Sequence, residues 1–176
     1  MKWLIRVVLA VAVLALVFVG VGFLLPSQFH VERSVAINAP AEKVYALIVD
    51  PREWKRWTVW NQRDPAMKVE YAGPPSGVGA KWSWQSLTEG NGQMEFVEAD
   101  PPNRLAYRLS FPEFGMQSKG LLRVVPDGAG VRVSWTNEGD MGSNPLNRWF
   151  GLMMDRLVGP DFEGGLANLK RLAESP

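Results

Sequence analysis

The hydrophobic pattern of this chain changes character twice. Residues 7–25, VVLAVAVLALVFVGVGFLL, hold no charged or strongly polar side chain. As a helix they would extend about 28 Å at ~1.5 Å per residue, the depth of a bilayer hydrocarbon core. After a short polar stretch, PSQFH at residues 26–30, the segment VERSVAIN alternates with Val31, Val35 and Ile37 on one face and predicts a first strand. APAEKVYALIVDP then shows helical spacing, with Pro40 suited to the start, Val44, Leu47 and Ile48 as an apolar stripe, and Asp50-Pro51 as a stop. PREWKRWTVWNQRD sets Trp54, Trp57 and Trp60 three residues apart among charged neighbours and reads as a second short helix.

From Met67 onward the period is two. MKVEY, AKWSWQS, GQMEFVEA, NRLAYRLSF, SKGLLRVV and GVRVSWTN are strand candidates, separated by AGPPSGVG, TEGNG, DPPN and PDGAG, whose glycine, proline, Asn and Asp suit tight antiparallel connections. Sorted by parity, Val69, Tyr71, Trp82, Trp84, Met94, Phe96, Leu105, Tyr107, Leu109, Phe111, Val131, Val133 and Trp135 share one face, while Lys68, Glu70, Lys81, Gln85, Glu95, Arg104, Arg108 and Arg132 share the other. This predicts a one-sided meander whose apolar face needs a cover. Only GLLRVV does not sort. The cover is predicted from Pro145 onward, behind an Asn144 cap, with Leu146, Phe150, Met153 and Leu157 as the covering stripe and with Pro160 and Gly164-Gly165 bending or interrupting the helix.

Composition narrows the chemistry. With 19 basic and 18 acidic residues the net charge is +1, which offers no footprint for a phosphate backbone, so nucleic acid is not an expected partner. There is no cysteine and a single histidine, His30, so thiolate chemistry, a disulfide framework and a histidine-rich metal site are all unsupported. No cofactor and no metal are expected. Glu70, Glu89 and Glu95 fall on the polar face or in turns. Asp155, Asp161 and Glu163 on the last helix are better placed, because a carboxylate facing an apolar cavity would have a raised pKa and could act as a base. The glycines of GVG at 77–79 and GAG at 128–130 read as turn residues, since neither opens a helix after a strand.

Lys2 and Arg6 precede the apolar run, which favours an N-terminus held in the cytoplasm and a following domain on the extracytoplasmic side. A cleaved signal peptide has a similar start, but its apolar core is usually ~7–15 residues and ends in a small-x-small site. The organisation expected is therefore a transmembrane anchor at 1–25, a linker at 26–30 and one domain at 31–176.

The order strand, two short helices, about six antiparallel strands and a long C-terminal helix resembles the START-like or SRPBCC superfamily, which includes the polyketide cyclase/dehydrase and lipid transport proteins. The residues carrying the likeness are INAPAEKVYALIVDPREWKRW, YAGPPSGVGAKWSWQS, GQMEFVEADPPNRLAYRLSF and GPDFEGGLANLKRLAE. The resemblance implies an α+β helix-grip fold, a curved antiparallel sheet wrapped around the long helix with an apolar cavity between them. It would place Trp82, Trp84, Phe96, Tyr107 and Trp135 of the sheet, and Phe150, Met153 and Met154 of the helix, around that cavity. Trp57 and Trp60 would lie where the tryptophan segment closes one end, as core, as pocket rim or at a membrane surface. The function expected is a membrane-anchored, non-catalytic module holding a hydrophobic small molecule or lipid. The alternatives are an aromatase/cyclase-like enzyme in which Tyr107 or Asp155 assists proton transfer, and a packed interaction module without ligand.

Overall fold

The computed structural model describes residues 1–175. The elements run α1 (Lys2–Leu24), β1 (Gln28–Ile37), α2 (Ala41–Val49), α3 (Trp54–Trp57), α4 (Trp60–Arg63), β2 (Lys68–Ala72), β3 (Lys81–Gln85), β4 (Gly92–Asp100), β5 (Arg104–Phe111), β6 (Met116–Asp127), β7 (Gly130–Asp140) and α5 (Pro145–Glu174). Every strand pairing is antiparallel, in the order β1-β7-β6-β5-β4-β3-β2. The meander from β2 to β7 follows chain order, and β1 closes the far edge against β7. A register shift between Phe96 and Glu98 adds local twist to β4. This is the helix-grip arrangement, an α+β fold with a curved sheet against one long helix.

Strand burial alternates as a one-sided sheet requires. Trp82, Met94, Phe96, Leu105, Tyr107, Leu122, Val124, Val131, Val133 and Trp135 are buried. The β6 stretch that did not sort places Leu122 and Val124 inward and leaves Val125 exposed. β1 begins at Gln28, three residues before the predicted strand, with Phe29 and Val31 both buried. Residues 28–30 are therefore sheet rather than linker, because Phe29 alternates in phase with Val31 and the pairing with β7 reaches Asp140.

Two expectations for α5 are corrected. It is one continuous helix through Pro160 and the Gly164-Gly165 pair. The stripe it turns to the sheet is Met154, Val158, Phe162, Leu166, Leu169 and Ala173. Leu146, Phe150, Met153 and Leu157, the predicted cover, lie about half exposed on the other side. The glycines serve close approach: a Cβ on Gly159 would come within 2.1 Å of Arg33 Nη2, and one on Gly164 within 2.8 Å of Val59 Cγ1. Without side chains there, α5 settles directly on β1 and on the tryptophan segment. Its far end is pinned by Lys170 Nζ donating to the Ala36 carbonyl at 2.6 Å and by Glu174 accepting from the Asn38 amide at 2.7 Å.

α1 is long and apolar enough to cross a membrane, a property that an anchor and a signal sequence share. Only Gly22 of this helix is buried, against Pro145 at the start of α5.

Candidate functional site

The three tryptophans of the charged segment divide into two roles. Trp54 and Trp57 are 3% and 0% exposed, and their indole N–H groups donate to the carbonyls of Ile48 (2.8 Å) and Leu47 (3.0 Å) at the end of α2. Asn168 of α5 donates in turn to the Trp57 carbonyl at 3.0 Å. Indoles at these positions fasten α2 and α5 to the core, with every buried N–H satisfied. Trp135 stands at the centre: it stacks on Phe162 with ring centroids 3.9 Å apart and meets Trp54, Trp57 and Trp60 edge-on. Trp60 is only partly buried, and its N–H donates to Asp161 at 2.9 Å.

Two apolar cavities flank this aromatic cluster. The first, about 120 Å³, lies under the tryptophan segment and is lined by Trp54, Thr58, Trp60, Met67, Val69, Tyr71, Trp82, Trp84, Met94, Leu109 and Phe111, with Lys55 and Glu89 also on its wall. The second, about 140 Å³, lies between the sheet and the middle of α5 and is lined by Phe29, Trp60, Met94, Tyr107, Leu109, Phe111, Met116, Asn137, Met154, Val158 and Phe162, with Gln117, Ser118 and Asp140 also on its wall. Trp60, Met94, Leu109 and Phe111 belong to both, so the cavities are separated only by these side chains.

The second cavity has a polar end. The Tyr107 hydroxyl accepts from Trp135 Nε1 at 2.9 Å, which leaves its own proton free to donate. Complete burial pushes the Tyr107 hydroxyl up to about 12, partly opposed by the Trp135 donor and by the neighbouring Asn137 amide. Asn137 is 5% exposed; its side chain lies close enough to the Tyr107 hydroxyl to oppose the rise in that group's pKa, but its Nδ2 meets no acceptor in full hydrogen-bonding geometry among the described residues. A buried, unpaired amide costs ~1–3 kcal/mol, so its retention inside an apolar wall needs an explanation. Gly120 on β6 positions this end, since a Cβ there would lie 1.8 Å from Tyr107 Cζ. Tyr107 can lie flat against the neighbouring strand only because that residue has no side chain.

The carboxylates lie elsewhere. Asp155 does not face a cavity: it is exposed and accepts from Arg33 Nη1 at 2.7 Å, and this hydrogen bond holds its pKa below the usual carboxylate value. Glu163 accepts from Arg33 Nε at 2.6 Å, so both acids tie α5 to β1. The expected raised pKa at Asp155 is thus reversed, because the inward-facing parity of β1 supplies a guanidinium directly beneath that part of α5. Asp161 accepts from both Trp60 and Arg63, and Arg63 also pairs with Glu89 at 2.9 Å. Glu89 is not a free turn residue; its side chain is 16% exposed within this network. The network braces the short α4 turn against α5 at the edge of the first cavity.

Of the residues expected around a cavity, Trp60, Trp82, Trp84, Tyr107 and Met154 line one or both. Trp57, Phe96 and Trp135 are fully buried in the packed core behind them. Phe150 and Met153 point away, at 60% and 49% exposure, because α5 meets the sheet through its other stripe. Asn137, Met94, Leu109 and Phe111 line cavities without having been singled out as site residues. Asn137 has the same parity as Trp135 two positions earlier, a signal that places a polar group on the apolar face. Among the described residues no cluster of His, Asp or Glu could hold a metal.

Comparison with known proteins agrees with this fold. The family model described as "Polyketide cyclase / dehydrase and lipid transport" matches residues 28–174. A protein of Thermobifida fusca solved by NMR superposes with a TM-score of 0.63 at 27% identity, over 81% of this chain and 92% of that one. Norcoclaurine synthase of Thalictrum flavum, determined as a point mutant, gives 0.63 at 15% identity over 83% and 94%. The di-domain ARO/CYC BexL of the BE-7585A biosynthetic pathway gives 0.61 at 16% identity, over 85% of this chain and 51% of that protein. At the two lower identities the likeness is one of fold. No curated protein sequence matches the chain.

Proposed function

The chain belongs to the polyketide cyclase/dehydrase and lipid transport family, and on that premise we propose that it is a membrane-anchored, non-catalytic domain that holds an apolar small molecule or lipid bearing a neutral oxygen. The observation that carries this reading is the Asn137 amide beside the protonated Tyr107 hydroxyl, both buried in a mainly apolar cavity whose other polar lining is Gln117, Ser118 and Asp140. Two neutral donors without a cation suit a carbonyl, ether or hydroxyl oxygen better than a carboxylate or phosphate, whose burial would need a compensating charge. A cyclase-like role lacks support from the ionisable groups: Tyr107 stays protonated at neutrality, and Asp155 is occupied outside the cavity.

Each cavity is smaller than the ~300–1,000 Å³ of common ligand pockets. The proposal therefore requires their shared wall to open, and the unbranched Met94 is the side chain best able to move. The test uses residues 26–176 with an alkyl-naphthyl ketone and the matching alkylnaphthalene as fluorescent probes. Both should bind saturably. Asn137→Leu should weaken the ketone about tenfold, equivalent to ~1.4 kcal/mol, leave the hydrocarbon unchanged, and hold or raise thermal stability because a buried unpaired group is removed. Failure of the unaltered domain to bind either probe would leave the packed interaction module as the surviving reading.

The extracytoplasmic placement of the domain belongs to the same proposal and rests on Lys2 and Arg6 ahead of the apolar run. A reporter active only in the cytoplasm, fused after Pro176, should be silent. Strong activity would reverse the orientation.

A further inference from the structure

The first half of α5 carries two apolar stripes, and only one is used by the fold. Met154 and Val158 face the sheet and line the second cavity. On another face Leu146, Phe150, Met153 and Leu157 are each between 48% and 60% exposed. Four large apolar side chains on neighbouring turns of one helix form a continuous surface, unlike the scattered exposed residues normal for a soluble domain. The position of that surface identifies its partner. Pro145 lies against Gly22 of α1, and one turn further along α5 the Trp149 ring stacks on Phe18, one turn back along α1, with centroids 4.6 Å apart. The two helices therefore meet over about one turn, running in opposite senses there. Trp149 Nε1 donates to the Phe18 carbonyl at 3.2 Å, and Arg148 Nη1 donates to the carbonyls of Phe23 at 2.8 Å and Leu25 at 3.1 Å. A cation closing the last carbonyls of α1 sits where an anchor would leave the bilayer, and a tryptophan one turn deeper suits the interfacial layer.

We infer that Pro145–Val158 of α5 is a second membrane contact, slanting through the lipid interface beside the end of α1 with Leu146, Phe150, Met153 and Leu157 turned to the acyl chains. The inference rests on reading α1 as a membrane span, and it goes beyond that reading because an anchor alone leaves the domain free to tumble on its short connection. With both helices held at the membrane, the domain has one fixed orientation. The cavity wall and the lipid-facing surface are then adjoining flanks of the same turns, so a ligand dissolved in the bilayer reaches the cavity beside Met154 and Val158 without crossing water.

The sequence has no cysteine, so single labels can be placed anywhere in the full chain. Nitroxides at Val13→Cys, Phe150→Cys, Met153→Cys, Leu157→Cys and, on the polar sheet face, Gln85→Cys would be measured by power saturation in phosphatidylcholine/phosphatidylglycerol vesicles, with oxygen and a water-soluble nickel chelate as relaxants. The labels at 13, 150, 153 and 157 should favour oxygen several-fold over the chelate, and the label at 85 should favour the chelate. Lipid exposure at 13 with water exposure at 150, 153 and 157 overturns the inference and leaves the anchor standing. Water exposure at 13 removes the anchor, and the inference with it. Shielding of the three α5 labels from both relaxants overturns the inference in favour of a second copy or a protein partner. Circular dichroism of each labelled chain checks that these exposed substitutions leave the fold intact.

Discussion

Replacing Trp135 by alanine is expected to lower the stability of the domain by about 3–5 kcal/mol, the range for large aromatic to alanine changes in a core. Trp135 is fully buried, stacks on Phe162 of α5 and packs edge-on against Trp54, Trp57 and Trp60. It is the residue through which the sheet, the tryptophan segment and the long helix touch one another. Its loss removes aromatic contacts to all three and takes the Nε1 donor from the Tyr107 hydroxyl. Domains of this size have only ~5–15 kcal/mol of stability in total, so the urea midpoint should fall by a large fraction. Gln85→Ala on the exposed face should change it by less than ~0.5 kcal/mol. A loss below about 1 kcal/mol at Trp135 would show that the interior can collapse around the vacancy, contrary to the close packing described.

The second large effect is an alkaline loss of stability centred on Tyr107. Burial raises its pKa from 10.0 to about 12 in the folded state. Between those values the unfolded chain has released the phenolic proton while the folded one still holds it, so raising the pH favours unfolding. The contribution is fully present below pH ~10 and lost as pH approaches ~12, and two pKa units correspond to about 3 kcal/mol. Urea unfolding from pH 9 to 12 should show this slope. Tyr107→Phe should flatten it, even though the variant starts less stable because Trp135 Nε1 is left without an acceptor. An unchanged slope in Tyr107→Phe would place the alkaline sensitivity at another group, with Tyr45 and Tyr71, whose pKa values burial also raises, as the next candidates.

Most of the strands were legible because alternation is local. In β3, β4, β5 and β7 a side chain two positions along shares the same face whatever the partner strand is, so Trp82, Met94, Phe96, Leu105, Tyr107 and Trp135 could be assigned to one apolar surface from the sequence. β6 resisted because Gly120 yields its volume to Tyr107, and Leu121 and Val125 sit on the outer parity. Asn137 was within reach of the same rule, one step beyond Trp135. Its meaning was not, since an amide becomes unpaired only when every neighbour in space is known.

The apolar run of α1, the one-sided meander and the presence of a long closing helix were determined by the sequence alone, through the period and length of hydrophobic segments. What the tertiary structure decided was which surfaces meet. α5 begins with two apolar stripes, and helical periodicity marks both without choosing between them; Met154 and Val158 face the sheet in place of Phe150 and Met153 where Gly159 lets the helix settle on β1 and Gly164 lets it settle on the tryptophan segment. Sequence makes Asp155 a candidate base on the expectation that it faces an apolar cavity, whereas its surroundings are set by Arg33 of β1, far away in sequence and brought beneath it by the fold. Trp57 and Trp60 have the same spacing and similar neighbours, yet one is core and the other a cavity wall, because burial depends on what covers a residue and not on its place in the repeat.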